Sequence, residues 1–96
     1  MFMKISEEKK FKIFEQILAY LFSISPKLVF TVEVAKELAR DEEFVKRLLL
    51  DLKKRGLVSE VKKSPKGKDY LKRSRWKMTE DAYLAYKKRY DTFQNI

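Results

Sequence analysis

The chemistry open to this sequence is limited first by the side chains that it lacks. The 96 residues contain no histidine and no cysteine, which removes the commonest general base, imidazole-based nucleophilic triads, thiolate metal sites and disulfides. No pair of carboxylates and no glycine-rich phosphate loop stands out among the remaining residues. We therefore predict that the chain is not an enzyme and has no catalytic residues, no metal site and no cofactor.

The residues that can do chemistry are the cations of one short segment. Residues 61–77 hold eight lysines and arginines and one acid, Asp69, so this segment carries +7 of the net charge of +9. Such asymmetry indicates a polyanionic partner, because repulsion among the cations destabilises the fold until negative charge is bound. The alternative is a solvated basic surface without a ligand, as in thermophilic proteins. We favour nucleic acid as the partner.

Four helices are predicted around this segment, because a capping residue is followed four times by acids and an apolar periodicity. The capping residues are Ser6, Thr31, Asp41 and Thr79. Pro26 cannot continue the first helix, and Gly56 ends the third in the left-handed conformation. The predicted helices cover residues 6–24, 31–40, 41–55 and 79–94. The second and third are separated only by a tight turn, which is a helix-turn-helix spacing.

A β-hairpin is predicted over residues 57–78, so that the basic segment lies on two strands. The stretches LVSEVKK (57–63) and DYLKRSRWKM (69–78) are rich in β-branched and aromatic residues, and the intervening SPKG (64–67) fits a type I turn. Alternation along the second strand places Trp76 and Met78 on the core side. Stacking of Trp76 on a nucleic acid base is the alternative.

The apolar surface of the first helix is wider than one core contact requires, since it spans about 200°. A second subunit is the simplest partner for the excess, and the alternative is the C-terminal helix of the same chain. That last helix carries aromatic residues at intervals of 3, 4 and 3, the spacing of helix–helix packing. We predict a homodimer whose interface residues are Phe11, Phe14, Ile17, Leu18, Leu21, Tyr83, Tyr86, Tyr90 and Phe93.

The order of helix, short strand, two helices, hairpin and helix resembles the winged helix-turn-helix superfamily of DNA-binding proteins, in the style of small archaeal regulators and chromatin proteins. The resemblance covers about residues 28–80 and is carried by three stretches: FTVEVAKELA, FVKRLLLDLKKRGLV and RWKMTEDA. The resemblance implies one domain over residues 1–96 of the α+β class, mostly α. Its parts would be a recognition helix (41–55), a β-hairpin wing (57–78) and an additional C-terminal helix.

The resemblance also implies a mode of binding to double-stranded DNA. The recognition helix would enter the major groove, and the wing would lie along the backbone or the minor groove. Arg47 would bond a guanine through two N–H groups, and Lys46 would contact a base or a phosphate. The implied contacts on the recognition helix are Lys46, Arg47, Leu50, Lys53 and Lys54. Those on the wing are Lys62, Lys63, Lys66, Lys68, Lys72, Arg73 and Arg75.

Two features of the recognition helix leave alternatives open. Leu50 lies among polar positions and fits a thymine methyl contact, an interface or an ordinary exposed leucine. Glu42 and Glu43 complement the helix dipole, but they also place negative charge at the end of the helix that is nearest DNA in this superfamily. This charge disfavours base contacts in the first turn.

The predicted function is that of a dimeric transcription regulator on double-stranded DNA. One alternative is an architectural chromatin protein or an RNA binder that recognises charge and shape. Another is a protein-interaction subunit of a larger assembly.

The longest uncharged run covers eleven residues, 16–26, whereas a membrane-spanning helix needs about 20, and the N-terminus resembles no secretory signal. We expect a cytoplasmic, nucleoid-associated protein without membrane contact.

Overall fold

The computed structural model describes residues 7–63 and 70–94. In chain order the elements are α1 (Glu7–Ile24), β1 (Val29–Phe30), α2 (Thr31–Leu38), α3 (Glu42–Lys54), β2 (Val58–Lys63), β3 (Tyr70–Met78) and α4 (Glu80–Gln94). The three strands form one antiparallel sheet in the order β1-β3-β2. The predicted α+β, mostly helical class is confirmed. The turn predicted at residues 64–67 lies outside the described residues.

The ends of α3 and the beginning of α4 have the capping chemistry that the sequence predicts. The Asp41 carboxylate accepts a hydrogen bond from the backbone N–H of Phe44 at 3.1 Å, and Gly56 follows α3 with a φ of 78°, a conformation that favours glycine. The Thr79 hydroxyl accepts from the N–H of Ala82 at 3.2 Å and donates to the carbonyl of Gly56 at 2.9 Å. Thr79 therefore caps α4 and also ties it to the residue that ends α3.

The capping role predicted for Thr31 is wrong. Thr31 is the first residue of α2, and Phe30 occupies the N-cap position, where its backbone N–H donates to Glu33 Oε2 at 3.0 Å. The Thr31 hydroxyl instead accepts a hydrogen bond from Trp76 Nε1 at 2.8 Å, and both side chains are buried. This threonine therefore joins α2 to the central strand of the sheet.

The core lies between the first three helices and the inner face of the sheet. Its largest side chain is the Trp76 indole, which is 0% exposed. The other fully buried side chains are supplied by every neighbouring helix and by β2: Ile17, Leu21, Val34, Val45, Leu49, Leu52 and Val58. A base cannot stack on an indole that solvent does not reach, so the stacking alternative for Trp76 is excluded.

Over the described ranges, no helix is long and apolar enough to span a bilayer.

The core also corrects the predicted dimer interface. Phe14, Ile17 and Leu21 are buried within this single chain, so they cannot contact a second subunit without disrupting the core. The alternative, in which the C-terminal helix of the same chain covers α1, is partly confirmed. The centroid of the Phe22 ring lies 5.1 Å from that of Tyr83 and 4.7 Å from that of Tyr86. Part of the wide apolar surface of α1 is therefore covered by α4.

The hydrogen bond between Trp76 and Thr31 can be tested by replacing Thr31 with valine, which keeps the side-chain shape and removes the acceptor. We expect the free energy of unfolding to fall by about 1–3 kcal/mol, because a buried N–H loses its partner. Urea denaturation measures the difference, and Thr31→Ser, which keeps the hydroxyl, is the matched control. In a Trp76→Phe background no indole N–H remains, and Thr31→Val should cost much less. An equal cost in both backgrounds would contradict this role.

Candidate nucleic-acid interface

The exposed face of α3 carries all the recognition-helix residues that the sequence predicts. Val45, Leu48, Leu49 and Leu52 are buried, and the helical period therefore turns the intervening positions outward. Each of them is exposed: Lys46, Arg47, Leu50, Lys53 and Lys54. Two stripes result, since residues 46, 50 and 53 follow one another at helical spacing and residues 47 and 54 run beside them. Leu50, 39% exposed, is an apolar position within this cationic surface.

The beginning of α3 has the opposite charge. Asp41, Glu42 and Glu43 are all exposed, and the last two lie in the first turn, where they complement the helix dipole. The cationic surface therefore begins at Lys46 and extends toward the C-terminal end of α3. Close approach of phosphates is favoured at that end and disfavoured at the acidic one.

On the wing, Lys62 of β2 is exposed and joins the cationic surface, because it shares the Glu60 carboxylate with Lys53 of α3. Arg75 on β3 is half-buried, and its pairing with Val61 places it on the other face of the sheet from Trp76. The backbones of Lys63, Lys72 and Arg73 lie on the same two strands, but their side chains are not described. Lys66 and Lys68 lie outside the described residues.

The hairpin leaves regular register within the basic segment. Val61 pairs with Arg75, but Lys63 pairs with Tyr70. Between these pairs lies one residue on β2 and four on β3, so β3 contains three extra residues there. An insertion of this kind bends the strand and re-aims its side chains. The simple alternation predicted for this strand is observed from Ser74 to Met78, where the side chains are described.

Glu60 joins α3 to the wing, a role that the sequence analysis missed. Its side chain is 6% exposed and forms an ion pair with Lys53 of α3 at 2.9 Å and with Lys62 at 3.8 Å. Ser74 on β3 donates its hydroxyl hydrogen to the same carboxylate. No local sequence signal marks this role, because it follows from the cross-strand pairing: Glu60 lies opposite the core residue Trp76 and therefore on the inner face of the sheet.

The environment of Glu60 keeps the carboxylate ionised. Burial acts to raise the pKa of Glu60, but the hydrogen bonds from Ser74 and Lys53 and the charges of Lys53 and Lys62 together act more strongly. The pKa of Glu60 therefore lies below its ordinary value of 4.5. The carboxylate is therefore negatively charged at neutral pH, beneath a cationic surface.

A second ion pair network fixes α3 against α1. Lys10 and Arg55 contact the two oxygens of Asp51 at 3.0 Å and 3.3 Å. The hydrogen bond from Lys10 is the main cause that lowers the pKa of Asp51; burial opposes it, and the bond from Arg55 adds to it. Both cations also lie over the Phe14 ring, 5.6 Å and 5.4 Å from its centroid. Arg55 is therefore held toward α1.

Comparison with solved structures identifies the fold. A mutant of ZitR from Lactococcus lactis matches with a TM-score of 0.64 and 17% identity over 84% of this chain and 53% of that one. A MepR mutant from S. aureus matches with a TM-score of 0.60 and 23% identity over 79% of this chain and 56% of that one. A further MepR mutant, bound to an oligodeoxyribonucleotide, matches with a TM-score of 0.63 and 19% identity over 93% and 70%.

This chain therefore spans little more than half the length of the first two proteins. No protein-family model and no curated protein matches the sequence. The structural matches confirm the winged helix-turn-helix arrangement that the sequence resemblance implies.

The charge state of Glu60 can be tested by acid denaturation. A carboxylate whose pKa is lower in the folded state contributes stability that is present above pH 4.5 and is lost as the pH falls through the folded-state value. We expect Glu60→Gln to be less stable than wild type at neutral pH and to lose less stability between about pH 5 and pH 3. Glu43→Gln, which removes an exposed carboxylate, is the control for net charge. Superimposable profiles for the two variants would contradict the buried, paired state of Glu60.

Proposed function

We propose that this chain, with its winged helix-turn-helix fold, binds double-stranded DNA as a dimeric transcription regulator. The observation that carries the proposal is the set of exposed cations on α3, from Lys46 and Arg47 to Lys53, together with Lys62 of the wing, which shares a carboxylate with Lys53. Its position coincides with the helix and the strands that contact DNA in this fold. The similarity to MepR, which has been solved with an oligodeoxyribonucleotide, supports the same assignment.

The dimensions of α3 suit the major groove. An α-helix with its side chains is about 10–12 Å in diameter, which fits a groove about 12 Å wide. The 13 residues of α3 give it a length of about 20 Å. Arg47 bonds a guanine through two N–H groups, Lys46 contacts a base or a phosphate, and Leu50 contacts a thymine methyl group. The wing lies along the backbone or the minor groove and neutralises phosphates with its lysines and arginines.

The proposed dimer uses the apolar surface that the core leaves uncovered. Phe11 on α1 is 61% exposed and Leu84 on α4 is 56% exposed, and Tyr83 and Tyr86 are half-buried. The interface therefore combines Phe11 and Leu18 with α4 rather than the buried face of α1. A two-fold dimer presents two recognition helices to two half-sites.

Two other functions have support in specific observations. The acids at the beginning of α3, Glu42 and Glu43, favour recognition of charge and shape over base contacts, as in an architectural chromatin protein or an RNA binder. The exposed Phe11 and Leu84 are also compatible with a protein-interaction subunit of a larger assembly. The protein-interaction alternative leaves the cationic face of α3 and the basic wing without a role.

The proposed binding mode predicts a strong dependence on salt. Titration of a labelled random-sequence duplex should give a log–log slope near −0.9 for each phosphate neutralised, with several phosphates per subunit. Replacing Lys66, Lys68 and Arg73 together by glutamine should weaken binding to all sequences alike and reduce the slope. The control replaces three exposed cations of α4 by glutamine: Lys87, Lys88 and Arg89. Equal losses for the two triple variants would contradict a specific role of the wing, and no binding at low salt would exclude the proposed function.

The dimer proposal predicts a change of mass without loss of stability. Phe11→Glu should shift the mass measured by light scattering from twice 11.6 kDa toward 11.6 kDa, because it places charge in the proposed interface. The free energy of unfolding of the monomer should change by less than about 0.5 kcal/mol, as is usual for exposed positions. Gln16→Glu, an equal change of charge on the exposed side of α1, should leave the dimer intact. A wild-type monomer at micromolar concentration would exclude the dimer.

A further inference from the structure

The carboxylate of Glu60 lies beneath the surface that would meet DNA. Only 6% of its side chain is exposed, whereas Lys53 and Lys62, which it pairs with, have 51% and 59% of their side chains exposed. Lys53 belongs to the stripe of α3 that begins at Lys46, and Lys62 belongs to the wing. The carboxylate is therefore enclosed on its outer side by two cations of the proposed interface.

The Glu60 carboxylate and the ammonium groups of Lys53 and Lys62 act as one unit of charge. Two ammonium groups share one carboxylate, so together they present +1 to an approaching polyanion instead of +2. Ser74 donates to the same carboxylate, which fixes its position on the sheet and keeps it within reach of Lys53. A phosphate that binds Lys53 must therefore compete with a carboxylate 2.9 Å away.

We propose that Glu60 is an internal counterion that limits the affinity of this protein for nucleic acid by occupying Lys53 and Lys62. The proposal rests on the proposed DNA binding. The internal counterion would increase selectivity. The sequence-independent part of the affinity comes from neutralised phosphates, so an internal carboxylate lowers the affinity for all sequences alike. Because contacts to bases are kept, they then account for a larger share of the binding. Lys46, which has no ion pair among the described residues, is left as the stronger phosphate ligand of the same stripe.

The test is Glu60→Gln, measured by titration of a labelled random duplex at several salt concentrations. The glutamine amide can still accept from Ser74, so the hairpin keeps its anchor. We expect tighter binding than wild type and a log–log slope that is steeper by about 0.9 per released lysine, which corresponds to about 3.5-fold more affinity lost between 50 and 200 mM salt. Weaker or unchanged binding would overturn the proposal.

A matched set separates release of the lysines from a general change of charge. Glu43→Gln removes an exposed carboxylate of α3, and its effect should be the same with and without Lys53 and Lys62. In a Lys53→Met, Lys62→Met background the gain from Glu60→Gln should vanish. If that gain persists, Glu60 acts only through its overall field and the proposal fails.

A second comparison uses variants that leave Glu60 in place. Lys46→Met should reduce the wild-type slope by about 0.9, and Lys53→Met should reduce it by less than half as much. Equal reductions would overturn the proposal. If the wild-type protein does not bind the duplex at low salt, the proposed function itself fails. If it binds but Glu60→Gln does not bind more tightly, only the role of Glu60 is excluded.

Discussion

The Trp76 indole is the packing element on which the position of the wing depends. It is completely buried on the central strand, and its N–H donates to Thr31 at the beginning of α2. A buried donor with one specific acceptor fixes the indole in one orientation, because any other leaves the N–H unsatisfied. The strand that carries the basic residues is thereby held against the helix-turn-helix. The direction of the wing relative to α3 therefore follows from a contact in the core between β3 and α2.

Electrostatics imposes a second constraint, because α3 and the wing carry like charge and must lie side by side. The structure satisfies it with one carboxylate between them. Glu60 pairs with Lys53 from α3 and Lys62 from β2, so each element contributes a cation to a shared anion. Desolvation of the carboxylate is offset by three polar partners, as a buried charge requires. The same pairing that stabilises the unit also withholds two cations from any external anion.

The sequence predicts those features that depend on residues close together along the chain. The caps at Asp41 and Thr79 and the exposed face of α3 depend only on neighbours a few residues away, and the structure contains them. The roles of Thr31 and Glu60 depend on partners that are distant along the chain or across the sheet. Thr31 has the sequence context of a helix cap, yet its hydroxyl bonds a residue 45 positions later. The register shift after Val61 has no local signal either, since it is fixed by the way two strands meet.

The prediction that Phe14, Ile17 and Leu21 lie in a dimer interface is wrong because these side chains are buried within the single chain. An apolar arc measures how much surface a helix must bury, but it does not say which neighbour buries it. In this fold α1 packs on α2 and β3 with its most apolar stripe, and Phe22 is covered by Tyr83 and Tyr86. The uncovered apolar surface is therefore divided between α1, where Phe11 is exposed, and α4, where Leu84 is exposed.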